Sequence, residues 1–364
     1  MVAGAGQPGA GRAVPRLRLD MFPHSARTIG CFVEARKPTM HWLKAGATGA
    51  VVLAAALSAS GGEDTDLVAK ARLFPSMGAG VTAIRSDGAG RYYVLTERGG
   101  VEIFTAKGEH AGHVPADAAP AGAIVYGDDL DVGPDGRCYV ADRAANAVKV
   151  FSPAGRFERK LEIAAPTSVA LLPGGEVAVA SLRAAKLVSV FNAEGRVVRQ
   201  FGEPEELTGR EELNRYANAG RLTRDSSGHL IYSFTYLPEP TVRRYDRFGY
   251  SDFQLVLSTE EFLPAALAAR RVLAGDDPKA RVELHVILGA VAVDPASGEY
   301  WIGVGGRLLR YGADGADRGS YLIFTPEEQR LVARAVLVEA KRIVVASNEL
   351  GVFDLPRPEP GTAQ

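Results

Sequence analysis

Asp131-Val-Gly-Pro-Asp-Gly-Arg-Cys-Tyr-Val-Ala-Asp142, running on through Val148-Lys-Val-Phe151 to Ser152-Pro-Ala-Gly155, is the stretch whose reading decides the fold. It alternates turn chemistry with strand chemistry. Asp and Ser bond their own backbone and Gly adopts positive φ without steric cost, so Pro134-Asp135-Gly136 and Ser152-Pro-Ala-Gly155 are turns. Tyr139-Val-Ala141 and Val148-Lys-Val-Phe151 are short, β-branched or aromatic, and bounded by those turns, which makes them strands. A unit of this size cannot bury both of its faces alone, so copies of it must stack.

Copies recur from Val81 to Leu355 and align on their two turns. The first turn reads Ser86-Asp87-Gly88, Pro134-Asp135-Gly136, Pro173-Gly174-Gly175, Asp225-Ser226-Ser227-Gly228 and Asp294-Pro295-Ala296-Ser297-Gly298, with Glu339-Ala340-Lys341 as a degenerate sixth. The second reads Thr105-Ala-Lys-Gly108, Ser152-Pro-Ala-Gly155, Asn192-Ala-Glu-Gly195, Asp246-Arg-Phe-Gly249 and Gly312-Ala-Asp-Gly315. The third strand of each copy ends in Phe104, Phe151, Phe191, Tyr245, Tyr311 or Phe353, an aromatic suited to wedging between neighbours. Six copies predict an all-β, six-bladed propeller over residues 66–356. Because the last copy stops after three strands, Val68 to Phe74 is expected to complete it and so remove two open sheet edges.

The segment from Asp131 to Leu161 resembles an NHL repeat, on Pro134-Asp135-Gly136, Tyr139-Val-Ala-Asp142, Asn146 and Val148-Lys-Val-Phe151. It departs from that pattern at Ala145-Asn146-Ala147, where the Arg usual after the Asn pair is missing. The resemblance implies a propeller fold and leaves function to the individual site.

Upstream of the repeats the composition changes. Residues 1–39 are rich in Gly, Ala, Pro and Arg without apolar periodicity, and are expected to be a disordered leader, with Met40 as an alternative start. Met40-His-Trp-Leu-Lys44, the apolar run Ala45 to Leu57 and the small residues from Ser58 have the layout of a secretory signal, placed at residues 40–60. The run is short of the about 20 apolar residues of a membrane span. An exported, periplasmic or extracellular protein is therefore expected, touching membrane only through residues 45–57 if they stay uncleaved. Residues 357–364 are expected to be a disordered tail. High Ala, Gly and Arg content is that of a GC-rich bacterial genome.

Net charge is −1, with 42 Lys and Arg dispersed among 43 Asp and Glu, so no basic block points to nucleic acid. Of the two cysteines, Cys31 precedes the signal and Cys138 lies on a strand, where it reads as a small buried hydrophobe. Catalytic motifs are absent: there is no His-Glu-x-x-His, no zinc-spaced Cys pair and no Gly-x-Ser-x-Gly. Gly4-Ala-Gly6-Gln-Pro-Gly9 matches a dinucleotide fingerprint in letters only, since no strand precedes it. His285 is the one histidine expected near the channel, and Asp128-Asp129-Leu-Asp131 reads as strand-capping carboxylates. No cofactor is expected on the main reading; calcium or zinc belongs to an alternative in which the ring is a metal-dependent enzyme, a lactonase-like hydrolase or a lyase.

The loops joining second to third strands should gather on one face around the channel. They supply the candidate partner-binding residues Arg98, Arg143, Asn146, Arg183, Lys186, Tyr236, Glu239, Arg307 and Asn348, a face with a basic bias and, in Tyr236, an aromatic anchor. Insertions at Glu203 to Tyr216 and Ser258 to Ala274 are expected to form short helices on a rim, the second opened by the capping box Ser258-Thr-Glu-Glu261. The reading is a binding scaffold for a protein, peptide or glycan at the cell envelope. A structural component of an envelope assembly is the remaining alternative.

Overall fold

The computed structural model describes residues 53–55, 65–97, 99–116, 120–257, 263–275 and 283–358. Its strands form six sheets, each built on consecutive antiparallel strands, the blades of a propeller. Blade 1 is Val81–Ser86, Tyr92–Thr96, Val101–Phe104 and His110–Val114. Blade 2 is Gly127–Val132, Cys138–Asp142, Ala147–Phe151 and Phe157–Glu162. Blade 3 is Pro166–Leu171, Val177–Ser181, Val188–Phe191 and Val197–Phe201, and blade 4 is Gly220–Arg224, Leu230–Phe234, Thr241–Tyr245 and Ser251–Val256. Blade 5 is Ala290–Val293, Tyr300–Val304, Arg307–Tyr311 and Asp317–Phe324; blade 6 is Ala335–Val338, Arg342–Ser347 and Gly351–Pro356.

Six apolar clusters, one at each junction between blades, hold the ring together. The terminal aromatic of each third strand packs against the blade before it: Phe151 with Tyr93 and Leu95, Phe191 with Val148, Tyr245 with Val190, Tyr311 with Ile231, and Phe353 with Trp301. At the sixth junction Phe104 joins Val344 and Val352, so the last blade meets the first and the ring closes. Polar contacts cross the same seam, with Arg342 Nη2 donating to Tyr92 Oη at 2.6 Å and Gly80 N to Asn348 O at 2.6 Å. Second and third strands are buried almost throughout, because each is covered on both faces by neighbouring blades, whereas an outer strand such as Phe157–Glu162 alternates with solvent.

The chain before the ring adds strands to three blades. Thr65–Val68 adds in parallel to the outer strand of blade 5, and Ala71–Arg72 pairs antiparallel with Gly351–Pro356, Arg72 opposite Phe353. The segment read from sequence as one closing strand thus splits between two sheets. Leu53–Ala55 lies parallel to Ser251–Val256 of blade 4. Residues 1–52, the segment from Ala56 to Asp64, the capping box at Ser258 to Glu261, Arg98 and residues 359–364 lie outside the described residues.

Turns behave as their side chains dictate. Gly136 sits at φ +80° and Gly155 at φ +74°, while Asp225 Oδ1 accepts from Ser227 N and His229 N, each at 2.9 Å. The insertions contain α1 (Glu211–Ala217) and α2 (Leu263–Ala274). The inward face of α2 carries Ala266, Ala269 and Leu273, while Leu263 and Leu267 are exposed. Cys138 is buried, and burial pushes its thiol far up, as for a core residue. Among the described residues, no helix is long and apolar enough to cross a membrane.

Candidate functional site: the ring axis and its loop-face mouth

Charged side chains meet on the axis. Asp129, on the inner strand of blade 2, is fully buried, and its carboxylate lies 3.2 Å from Arg85 Nη2 of blade 1 and 3.7 Å from Arg221 Nη1 of blade 4. Ser168 of blade 3 donates its hydroxyl to Asp129 Oδ2 and accepts from Leu222 N of blade 4 at 2.9 Å. Two residues further along, Asp131 Oδ2 accepts from Leu171 N at 2.7 Å, and Asp131 Oδ1 lies 4.0 Å from Arg85 Nε. Side chains from blades 1, 2 and 4 can touch in this way only where inner strands converge. The acidic run read from sequence as strand caps is therefore the anionic part of an axial ion network.

Arg334, immediately before the inner strand of blade 6, completes that network. Its side chain makes no hydrogen bond or ion pair among the described residues, although Arg221, Asp128, Asp129 and Tyr236 all act on it electrostatically. It lies deep in the ring yet keeps some accessible surface, as a group lining a channel does. Repulsion from the Arg221 guanidinium, reinforced by burial, lowers its pKa to about 10. Asp128 moves the other way: burial raises its pKa, against the pull of Arg143, Arg221 and Arg334. Five guanidiniums, Arg85, Arg143, Arg221, Arg224 and Arg334, act on three carboxylates, so the axis carries an excess of positive charge.

At the loop-face mouth Arg143 Nε lies 3.0 Å from Asp128 Oδ2, and its guanidinium sits 4.6 Å over the Tyr126 ring. Val125 and Tyr126 are 64% and 47% exposed, an apolar step beside the channel. Asp142 fixes this step. It is fully buried, and its carboxylate accepts from Val125 N at 2.8 Å, Tyr126 N at 3.0 Å, Ala145 N at 3.2 Å and Lys149 Nζ at 2.9 Å. Burial works against ionisation there, but these donors outweigh it and hold the Asp142 carboxyl below its ordinary value.

The residues expected on the loop face divide by surroundings. Arg143 and Tyr236 belong to the axial network. Tyr236 is half-buried rather than an exposed anchor, because its loop is pinned by Ile287 N donating to Thr235 O at 2.8 Å and by the buried Leu237. Asn146, at φ +53°, accepts Ala165 N on its side chain at 2.9 Å and so ties blade 2 to blade 3. Lys186 pairs with Glu203, Glu239 with Arg270, and Asn348 Nδ2 donates to Glu97 Oε1 at 2.8 Å, which are contacts between neighbouring segments of the ring. Arg183 is exposed. Arg307 lines, with Val304, Gly306 and Arg330, a groove of about 380 Å³ at blade 5. His285 is exposed in the connection before Ala290, and His229 faces Asp225 at 2.8 Å in an outer turn.

Arg85, Ser168, Arg221 and Arg334 escaped the sequence reading, and Asp129 was read only as a strand cap. The available signal was a charged or hydroxyl residue set within, or directly before, an apolar inner strand, as in Val81-Thr-Ala-Ile-Arg85 and Ala333-Arg-Ala-Val336. Turn and loop chemistry drew attention away from it.

No protein-family model matches the chain, and no curated protein matches it in sequence. Solved structures do resemble it in fold. A streptogramin B lyase superposes with a TM-score of 0.52 at 13% identity, covering 80% of this chain and 88% of that one. Virginiamycin B lyase from Staphylococcus aureus gives 0.51 at 12% identity, over 78% and 97%. Kuenenia stuttgartiensis hydrazine synthase gives 0.50 at 12% identity, over 79% and 97%. At such identities the likeness is one of architecture: a six-bladed β-propeller.

Proposed function

We propose that this chain is an exported, NHL-type bacterial propeller that acts as a binding scaffold at the cell envelope, taking a protein, peptide or glycan partner on the loop face around the channel mouth. The observation that carries this reading is the exposed Val125–Tyr126 step with the Arg143 guanidinium over the Tyr126 ring, held rigid from below by Asp142. A pre-ordered aromatic beside a cation offers apolar area and charge at little conformational cost, which is how interface anchors work. Arg183 and Arg307 extend the basic character of that face. Residues 40–60 supply the export signal.

A metal-dependent hydrolase or lyase fits the axis less well. Its calcium or zinc would need free carboxylate or histidine donors, whereas Asp129 is engaged by Arg85, Arg221 and Ser168, and the cationic excess opposes a divalent cation. Among the described residues, no group of three or more His, Cys, Asp or Glu is placed to hold a metal ion.

Capture from envelope extract by the wild-type chain and by Tyr126→Ala/Arg143→Ala tests the scaffold reading. Loss of at least about tenfold in captured partner is expected, given the energies typical of interface anchors. Equal capture by the two proteins would remove the loop face from consideration.

A further inference from the structure

Where the insertion after blade 4 meets blade 5, the groove of about 380 Å³ opens on the loop face. Its walls include Ile287 and Val304, buried members of the apolar cluster that joins the two blades, and Ala265 of α2, which packs against that cluster. Backbone bonds hold these walls in place, Ile287 N donating to Thr235 O at 2.8 Å and Gly289 N to Gly303 O at 2.9 Å. Val286, 46% exposed, carries the apolar surface out to the rim. Two arginines, Arg307 and Arg330, line the same space. Contact places them side by side: Arg330 lies across Gly306, the residue before Arg307, so that a Cβ at Gly306 would come within 2.6 Å of Arg330 Cγ and 2.7 Å of its Cδ. The turn leaves that side of the groove as bare backbone, with Gly305 at φ +51° and no atom within 4 Å of where its Cβ would stand. Arg307 Nη1 donates to Ser320 Oγ at 3.5 Å, while the Arg330 guanidinium is exposed and makes no hydrogen bond or ion pair among the described residues.

We propose that this groove binds a small amphiphilic anion, an oxyanion head (carboxylate or phosphate) on a short aliphatic tail. A preformed concavity of this size, apolar in its walls and with a few polar groups at one side, is the usual form of a small-ligand site. A guanidinium fork matches two oxygens of the head, and the apolar stems of the arginines extend the wall. The tail displaces water from Ala265, Val286, Ile287 and Val304. Both halves are needed. A bare anion at a solvated arginine gains little against water, and an uncharged tail gives the guanidiniums no acceptor charge. The inference goes beyond partner docking at Tyr126 and is tested on purified protein with small molecules, so either reading can fail alone.

Calorimetry of the full chain with octanoate, octyl phosphate, acetate and octanol tests the site. Octanoate or octyl phosphate should bind with unit stoichiometry, about tenfold or more tightly than acetate or octanol, and the tighter of the two identifies the head. Arg330→Gln, at an exposed position, should weaken that binding about tenfold with Tm unchanged, as expected on losing a hydrogen bond between charged groups. Gly306→Ala keeps Arg330 but pushes its stem off the turn, and should also weaken binding. Val286→Asp, which sets a carboxylate on the apolar rim, should weaken both amphiphiles. Octanoate and octyl phosphate binding no tighter than acetate and octanol, binding at several equal sites, or equal affinity in wild type and Arg330→Gln would overturn the proposal.

Discussion

Asp142 and Arg334 are both charged groups placed inside the ring, and their surroundings could hardly differ more. The Asp142 carboxylate accepts from three backbone N–H groups and the Lys149 ammonium, and ionises more readily than a free carboxyl. Arg334 faces another guanidinium with no partner of its own among the described residues, and releases its proton more readily than a free arginine. A buried charge surrounded by donors or acceptors of the opposite sense fixes structure, whereas a cation set against another cation adds nothing to the fold.

The largest effect should come from breaking the satisfied site. Asp142→Ala leaves Lys149 as an unpaired buried cation and strips acceptors from Val125 and Tyr126, at an expected cost of about 3–5 kcal/mol in urea denaturation. Arg334→Gln, measured the same way, should cost less than about 1 kcal/mol or stabilise the ring, since it removes a repulsion. Losses of similar size in the two variants would erase the distinction and make Arg334 structural.

A smaller, signed test lies in pH. The folded pKa of Asp142 is lowered from 3.8, so its stabilisation is complete above that value and is lost as pH falls through the folded pKa. Asp128 is raised from 3.8 by burial, so its contribution is present below that value and disappears as pH rises through the folded pKa. Denaturation midpoints of Asp142→Asn and Asp128→Asn relative to wild type should therefore change in opposite directions on acidification. As pH falls, wild type loses its advantage over Asp142→Asn and gains on Asp128→Asn. Parallel profiles would show that the two carboxylates share one environment.

Much of the fold was legible because its determinants are local. Asp135, Gly136 and Gly155 make their turns from their own side chains or their freedom at positive φ, and Phe151 or Phe353 advertises a wedge wherever a third strand ends. Asp142 and Asn146, which carried the family resemblance, are the residues that fasten one blade's loop to its neighbours. That motif marks architecture. Tyr236 was misjudged because a Pro-flanked loop reads as exposed, and only the segment before blade 5 pins it.

Residue order alone determined the repeat, the number of blades and the places where the chain turns, since each rests on interactions between residues a few positions apart. Which charges share the axis was decided by tertiary structure: Arg85, Asp129, Arg221 and Arg334 are separated by dozens of residues and become neighbours only when the ring closes. Coulomb interactions depend on distance in space, and no local pattern encodes that distance.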